Sequence, residues 1–514
     1  MKKILIALGV IIILCITGIF GLNLFFKNKI ETFIDNSLSE NVVLAYGNIM
    51  VNTLQGTIKI DDVSVKLKKT GDTIFRTHIK SEHISMENLS YWDYFIHKRI
   101  HVAKIEVGKN SIEHQNRKTR ADRQKHTSPA GINKEFIIDQ LEIGQTSLKI
   151  TNEQKDSVKL DLKKATISIE DIKTDPKIIS RKIPFTYKNL SLGADSLFVS
   201  LNPYDNLSIG NIRINDGRLE LKRTSIKTQY SHAQLSRIIK KERDYIDLKI
   251  PSMALDGIAW GFAGDSLFTT ASVMSVRSPS LDIYRDKLVA DDNTVKPLYS
   301  KMLRNIPFGV MIDSLKIDDA SIAYSERVNS KVKPGQINFS KLKVRGAAIG
   351  NTYDKGSKKT KLAIKGYFLD DAPLDVDWSF DINNTKDRFR FLASVGSMDA
   401  ARINNFTQPN LGAKMSGRVN KVYFDIDGNN YRSDISMKMN YTNFKIEVLN
   451  KKSKKNWLFS TIANIFVSKD SKKEGQENFR EGQGSAERDK TKSFFNYLWL
   501  NVRSGLIKTM TGKG

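Results

Sequence analysis

Between Thr57 and Tyr324 one eleven-residue pattern comes back seven times, and no other feature restricts the fold as much. "NIRINDGRLEL" (211–221) is the clearest copy; the others start at Thr57, Lys104, Gln140, Asn189, Val273 and Ser314. The second and fourth positions are always apolar: Ile58/Ile60, Ile105/Val107, Leu141/Ile143, Leu190/Leu192, Ile212/Ile214, Met274/Val276 and Leu315/Ile317. The ninth and eleventh are apolar too, except for His114. The middle residues are turn formers, as in "DDVS", "GADS", "NDGR" and "DDAS".

Apolar alternation with a period of two predicts strands with one apolar face. The phase slips by one across the middle of each unit. A continuous strand needs a bulge there. A hairpin needs nothing extra, because positions four and nine then pair, as do two and eleven, with all four side chains on one face. "NDG" is a strong turn signal, and hairpins are the expectation for these units. The copies are spaced too unevenly for a solenoid of fixed period. Strand patterns continue in "KLAIKGYFL", "LDVDWSFDI", "RVNKVYFDIDG" and "SDISMKMNYTNFKIEVL". Helices are few and short: "SYWDYFIH" (90–97) with Ser90 as its cap, "HAQLSRIIKKE" (232–242) and "KPLYSKMLR" (296–304).

The expected fold is therefore mostly β. A long, curled antiparallel sheet over 46–450 follows an N-terminal transmembrane helix and carries a few short helices. With roughly 20–25 strands at about 4.8 Å each, such a sheet is on the order of 100 Å long. Its apolar face either packs against itself and against helices, or lines a groove.

The ends of the chain differ from the middle. Ile4 to Phe26 carries no charge, and 23 residues on a helix span roughly 34 Å, enough for a bilayer. The run exceeds a signal peptide's apolar core and no small-residue cleavage site follows it. Residues 1–26 are read as a membrane anchor, with Ile4, Val10, Ile13, Phe20 and Phe26 in the bilayer, the N-terminus cytoplasmic and the body translocated. Residues 27–45 are read as an amphipathic connecting helix. Residues 451–490 hold a basic helix and a flexible polar loop. A C-terminal amphipathic helix over 491–514 carries Phe494, Phe495, Leu498, Trp499 and Val502, which cap the sheet or touch a membrane.

Positive charge exceeds negative by 26, which favours anionic partners. The basic residues are dispersed and form no nucleic-acid motif, so acidic lipid headgroups fit better than nucleic acid. Cys15, the lone cysteine, excludes a disulfide framework and a thiolate metal site. No nucleotide-binding, zinc-protease or nucleophile-elbow motif occurs. His97 and His101 are four apart, but the second lies where a strand starts, so no metal site is expected. The paired aspartates at 61–62 and 318–319 are explained by turn chemistry. No catalytic residue, cofactor or metal is expected.

Several blocks together carry a resemblance. "GTIKIDDVSVKLKK", "HISMENLSYWDYFIHKRIHVAKIEVGKNSIE" and "KPLYSKMLRNIPFGVMIDSLKIDDASIAYSE" resemble AsmA-like proteins. "ERDKTKSFFNYLWLNVRSGLIKTMTG" is similar to the closing segment of those found in Bacteroidetes-type bacteria. The resemblance implies a Gram-negative envelope protein, anchored in the inner membrane with its bulk in the periplasm. It also implies kinship with bridge-type lipid-transfer proteins, whose sheet forms an apolar gutter for acyl chains, and a part in outer-membrane biogenesis. The expected function is non-enzymatic binding and transport of phospholipid, with outer-membrane or other envelope proteins as further partners. The groove positions expected are the paired residues Ile58, Ile60, Ile105, Val107, Leu141, Ile143, Leu190, Leu192, Ile212, Ile214, Leu315 and Ile317. The alternative is a scaffold that assists outer-membrane protein assembly through sheet-edge contacts.

Overall fold

The computed structural model describes residues 17–32, 34, 38–116, 134–154, 156–354, 356, 358–449 and 479–511. The chain is mostly β, with 26 strands assigned to one large mixed sheet. It divides into two compact units, one of residues 1–203 and 207–221, the other of residues 204–206 and 222–514.

In the first unit, strands Val42–Ala45 and Ile49–Asn52 each pair with one half of Thr57–Leu67. That strand pairs in turn with Thr77–Leu89. Ile100–Val107 and Asn110–Asn116 both run antiparallel to Thr77–Leu89, end to end along it. Both then run parallel to Phe136–Asn152, whose hairpin partner is Val158–Thr174. Asn189–Ala194 and Ser196–Ser200 lie end to end on Val158–Thr174.

The second unit repeats this scheme. Ser266–Arg277 and Ser280–Asp286 lie end to end on Asp244–Asp256, and both run parallel to Gly309–Arg327. Gly309–Arg327 then pairs antiparallel with Gly335–Gly350. The correspondence reaches single residues. The Phe136–Asn152 ladder slips at Ile143/Thr146/Leu148, and the Gly309–Arg327 ladder slips at Ile317/Ala320/Ile322. From there an antiparallel meander continues through Thr360–Phe368, Ala372–Phe380, Phe389–Val395, Ala413–Gly428, Arg432–Val448 and Arg480–Glu487.

Two expectations are corrected by this topology. The sheet is mixed, not antiparallel throughout, because a crossover before Phe136 and another before Gly309 return the chain in the same direction. The second crossover carries the helix Tyr299–Arg304. Six of the seven units are also not hairpins. Each runs straight across its neighbour, either as one strand or as two collinear ones. In several units the sixth residue holds a left-handed backbone: φ is 53° at Asp62, 45° at Ser278 and 56° at Asp319. One such residue absorbs the odd step between positions four and nine, so all four apolar side chains stay on one face. Aspartate tolerates this conformation better than most side chains, which is why "DD" recurs there. Only "NIRINDGRLEL" turns back. Asp216 and Gly217, with φ of 44° and 71°, join Asn211–Asn215 to Arg218–Thr228 with the geometry of a type I′ turn.

The ends are corrected as well. Residues 1–16, including Ile4, Val10 and Ile13, lie outside the described residues, as does the part of the expected basic helix and polar loop before residue 479. Residues 17–32 are helical, with Phe20 and Phe26 exposed. Among the described residues no helix is long and apolar enough to cross a membrane. The connecting helix does not reach residue 45, because Val42–Ala45 pairs with Ser64–Leu67 instead. Within the expected polar loop, Arg480–Glu487 is a strand on Arg432–Met439. A short helix forms at Tyr91–Phe95 with Ser90 as its cap, as expected, and another at His232–Ile238, capped by Ser231 and ending short of the expected residue 242.

The best-buried core belongs to the second unit. The C-terminal helix Phe494–Thr511 lies across the last strands, and Phe494, Tyr497 and Leu498 are buried there. Phe494 stacks on Trp378 at 4.9 Å and meets Phe389 edge-on at 5.1 Å. Of the other positions expected to cap the sheet, Trp499 and Val502 are half-buried and Phe495 is exposed. Asp387, buried beside this core, accepts hydrogen bonds from Ser300 Oγ (2.8 Å) and Arg304 Nη2 (2.5 Å).

Candidate functional site

Strand pairing sorts the recurrent apolar positions into rows. Residues opposite each other in a ladder point to the same face. In the first unit the fourth positions connect as Ile60–Ile84–Val107–Ile143–Ile167–Leu192–Ile214, with Ile49 joining at Ile60. The second positions connect as Val51–Ile58–Met86–Ile105–Leu141–Ile169–Leu190. On the other side of the bulges the ninth positions make Leu44–Val65–Ile79–Ile112–Leu148–Leu162–Leu197. The eleventh make Val42–Leu67–Thr77–His114–Ile150–Leu160–Val199. The polar exception is self-contained: Thr77 Oγ1 and His114 Nδ1 lie 2.9 Å apart.

Nine of the twelve expected positions fall in the first two rows: Ile58, Ile60, Ile105, Val107, Leu141, Ile143, Leu190, Leu192 and Ile214. Ile212 pairs with Ala194, one step outside them. Leu315 and Ile317 occupy equivalent rows of the second unit, Leu255–Met274–Leu315 and Met253–Val276–Ile317. Six members were missed: Ile49, Val51, Ile84, Met86, Ile167 and Ile169. The alternation in "HISMENL" and "ATISIEDI" carries the last four, but without the four-residue centre that marked the other units.

Burial separates the two units. Every member of the first two rows of the first unit is half-buried, apart from Ile49. In the second unit the rows continue as Val344–Ile364–Val376–Ala393–Phe424–Met437 and Gly346–Leu362–Trp378–Phe391–Ile426–Ile435. They become fully buried at Met437, Ile426 and Ile435, with Gly505 of the C-terminal helix packed on Met437 and Ile435, and end at Gly482 and Gly484 beneath it. That helix thus covers one end of the second unit's apolar face.

The opposite face of the first unit is polar. Lys59, Ser85, Glu106, Glu142, Ser168 and Ser191 alternate with the apolar rows and pair across the same strands. Glu106 and Glu142 stand side by side. Lys104 bridges them, with Nζ 2.9 Å from one carboxylate and 2.8 Å from the other. Its hydrogen bond, more than any other influence, holds the Glu106 carboxyl below its ordinary pKa. A sheet with one charged face and one half-exposed apolar face can hold hydrocarbon without reactive groups.

His97 and His101 turn to one carboxylate: His97 Nδ1 is 2.9 Å from Asp93 Oδ1, and His101 Nδ1 is 2.8 Å from Asp93 Oδ2. Arg99 Nε donates to Asp93 as well, at 2.7 Å. Among the described residues no three His, Cys, Asp or Glu side chains are grouped to hold a metal ion. No family model matches the chain, and no curated protein matches its sequence.

Proposed function

We propose that this chain is a non-enzymatic envelope protein that binds phospholipid acyl chains along the apolar face of its sheet and assists lipid transport and outer-membrane biogenesis. The observation that carries the reading is the run of half-buried aliphatic side chains in register over successive strands, Ile60 to Ile214. Each methylene moved from water onto it gains about 0.8 kcal/mol. A tail can slide between equivalent aliphatic positions while its headgroup stays in water, so no covalent step is required. The resemblance to AsmA-like proteins points the same way and supplies the setting: an inner-membrane anchor, a cytoplasmic N-terminus and a periplasmic body.

Photo-crosslinking tests the reading. A photoreactive residue in place of Ile143 is expected to yield phospholipid adducts in cells, and the same residue in place of Ser168, on the polar face, is not. Adducts to a barrel protein from both positions, without lipid, would instead favour the scaffold reading.

A further inference from the structure

A second apolar surface lies apart from the rows. In helix Tyr91–Phe95 only Asp93 is buried, held by His97, Arg99 and His101. Around it Trp92 is 68% exposed and Phe95 63%, and Tyr91, Tyr94 and Ile96 are exposed too. Leu54, in the turn before strand Thr57–Leu67, is 70% exposed. Contiguous aromatic surface of this kind is rare on a face that meets only water.

Hydrogen bonds fix where this surface sits. Thr53 donates through N and Oγ1 to Asn23 Oδ1, at 2.8 and 2.7 Å. Tyr91 Oη donates to the Thr53 carbonyl at 2.5 Å. The turn and the aromatic helix are thus tied to the N-terminal helix at Asn23. Asn23 stands four residues before Lys27, the first charge after the apolar run from Ile4. Four helical residues are about 6 Å. That depth, just inside the first charge, is where tryptophan and tyrosine are favoured at a bilayer surface. The Lys134 ammonium, 3.9 Å from the centre of the Tyr94 ring, adds a cation at the same rim, suited to phosphate headgroups.

We propose that Leu54 and the exposed face of helix Tyr91–Phe95 form a second membrane contact, seated in the headgroup–acyl boundary of the leaflet from which the anchor emerges. The inference rests on the anchor reading of residues 1–26. It also gives the apolar rows a starting point. Strands Ile49–Asn52 and Thr57–Leu67 flank the Leu54 turn and carry the first pairs, Val51–Ile58 and Ile49–Ile60. A tail leaving that leaflet meets these pairs first.

The test uses the full chain with Cys15→Ser, reconstituted in phosphatidylethanolamine–phosphatidylglycerol vesicles. A nitroxide is attached to Trp92→Cys, Phe95→Cys or, as a control, Lys80→Cys. Labels at 92 and 95 are expected to collide with oxygen several-fold more often, relative to a water-soluble nickel chelate, than the label at 80. Water-like collisions at 92 and 95, in vesicles that float with their protein, overturn the contact and leave the anchor standing. A chain that fails to float overturns both. Because labels replace the aromatic rings, quenching by brominated lipid is compared for the unlabelled chain and Trp92→Phe. The unlabelled chain is expected to lose more fluorescence, and equal quenching counts against the contact.

Discussion

Gly482 lies so close to the backbone nitrogen of Thr509 that no Cβ fits between them. Gly484 is likewise crowded by Ser504, through its Oγ and its carbonyl carbon. These glycines let the C-terminal helix rest directly on the last strand, with Gly505 over Met437 and Ile435. The helix then buries Phe494 and Tyr497 against Phe389 and Trp378.

Gly482→Ala is therefore expected to push the helix off the sheet. Overpacking of this kind costs about 1–3 kcal/mol. Urea unfolding followed by tryptophan fluorescence measures it, since Trp378 and Trp499 both report on the contact. An unchanged midpoint would contradict the packing described.

The bulge at Asp319 makes a sharper prediction, because two substitutions should differ in sign from the usual order of strand propensity. Valine is a good strand former, yet at φ of 56° its branched side chain clashes with the backbone. Asp319→Val is expected to destabilise by about 1–2 kcal/mol. Asp319→Gly, poor in an ordinary strand, should be neutral or stabilising. Urea midpoints in the opposite order would restore a regular strand or the hairpin.

His101 supplies a pH dependence. Its Nε2 lies 2.9 Å from Asp139 and its Nδ1 2.8 Å from Asp93. Burial alone would lower its pKa, but the hydrogen bonds to Asp139 and Asp93 outweigh it and raise the value above 6.5. The folded protein then binds this proton more tightly than the unfolded chain. The contribution is complete below about pH 6.5 and is lost as pH rises through the folded value. Asp93 behaves oppositely. The hydrogen bonds from His101 and His97 hold its carboxyl far below the usual range, against the effect of burial. Its contribution is intact at neutral pH and fades only in strong acid, as pH falls through the folded value. The stability lost in His101→Gln is thus expected to be larger at pH 6 than at pH 9, measured by urea unfolding. Equal losses would show that the imidazolium is not what the carboxylates hold.

How legible the fold was depended on which signal each residue carried. The side-chain period of two at Ile105/Val107 or Leu141/Ile143 was enough to place strands and their apolar face. It could not tell a hairpin from a bulged strand, because both put positions two, four, nine and eleven on one side. That choice rests on pairing between distant strands, such as Val107 with Ile143, which local pattern does not encode. "NDG" at 215–217 does encode a turn, and there the hairpin forms. Arg480–Glu487 was hidden for a different reason. Its glycines suit a loop by composition, and only the helix packed on them makes them suit a strand. The rows themselves were partly visible: both members of Val107–Ile143 and Ile105–Leu141 carry the pattern, whereas Ile84 and Ile167 join only through register.

In the proposed function the in-register aliphatic row holds lipid tails. Ile143 and Ile167 face each other in that row and are half-buried. The direct measurement is mass spectrometry of phospholipid retained by the purified full chain, compared with Ile143→Asp/Ile167→Asp, with circular dichroism confirming that both keep their strands. Bound phospholipid is expected in the first and a loss of most of it in the second. A wild-type chain without phospholipid, or a folded double variant that retains as much, would contradict the proposed function.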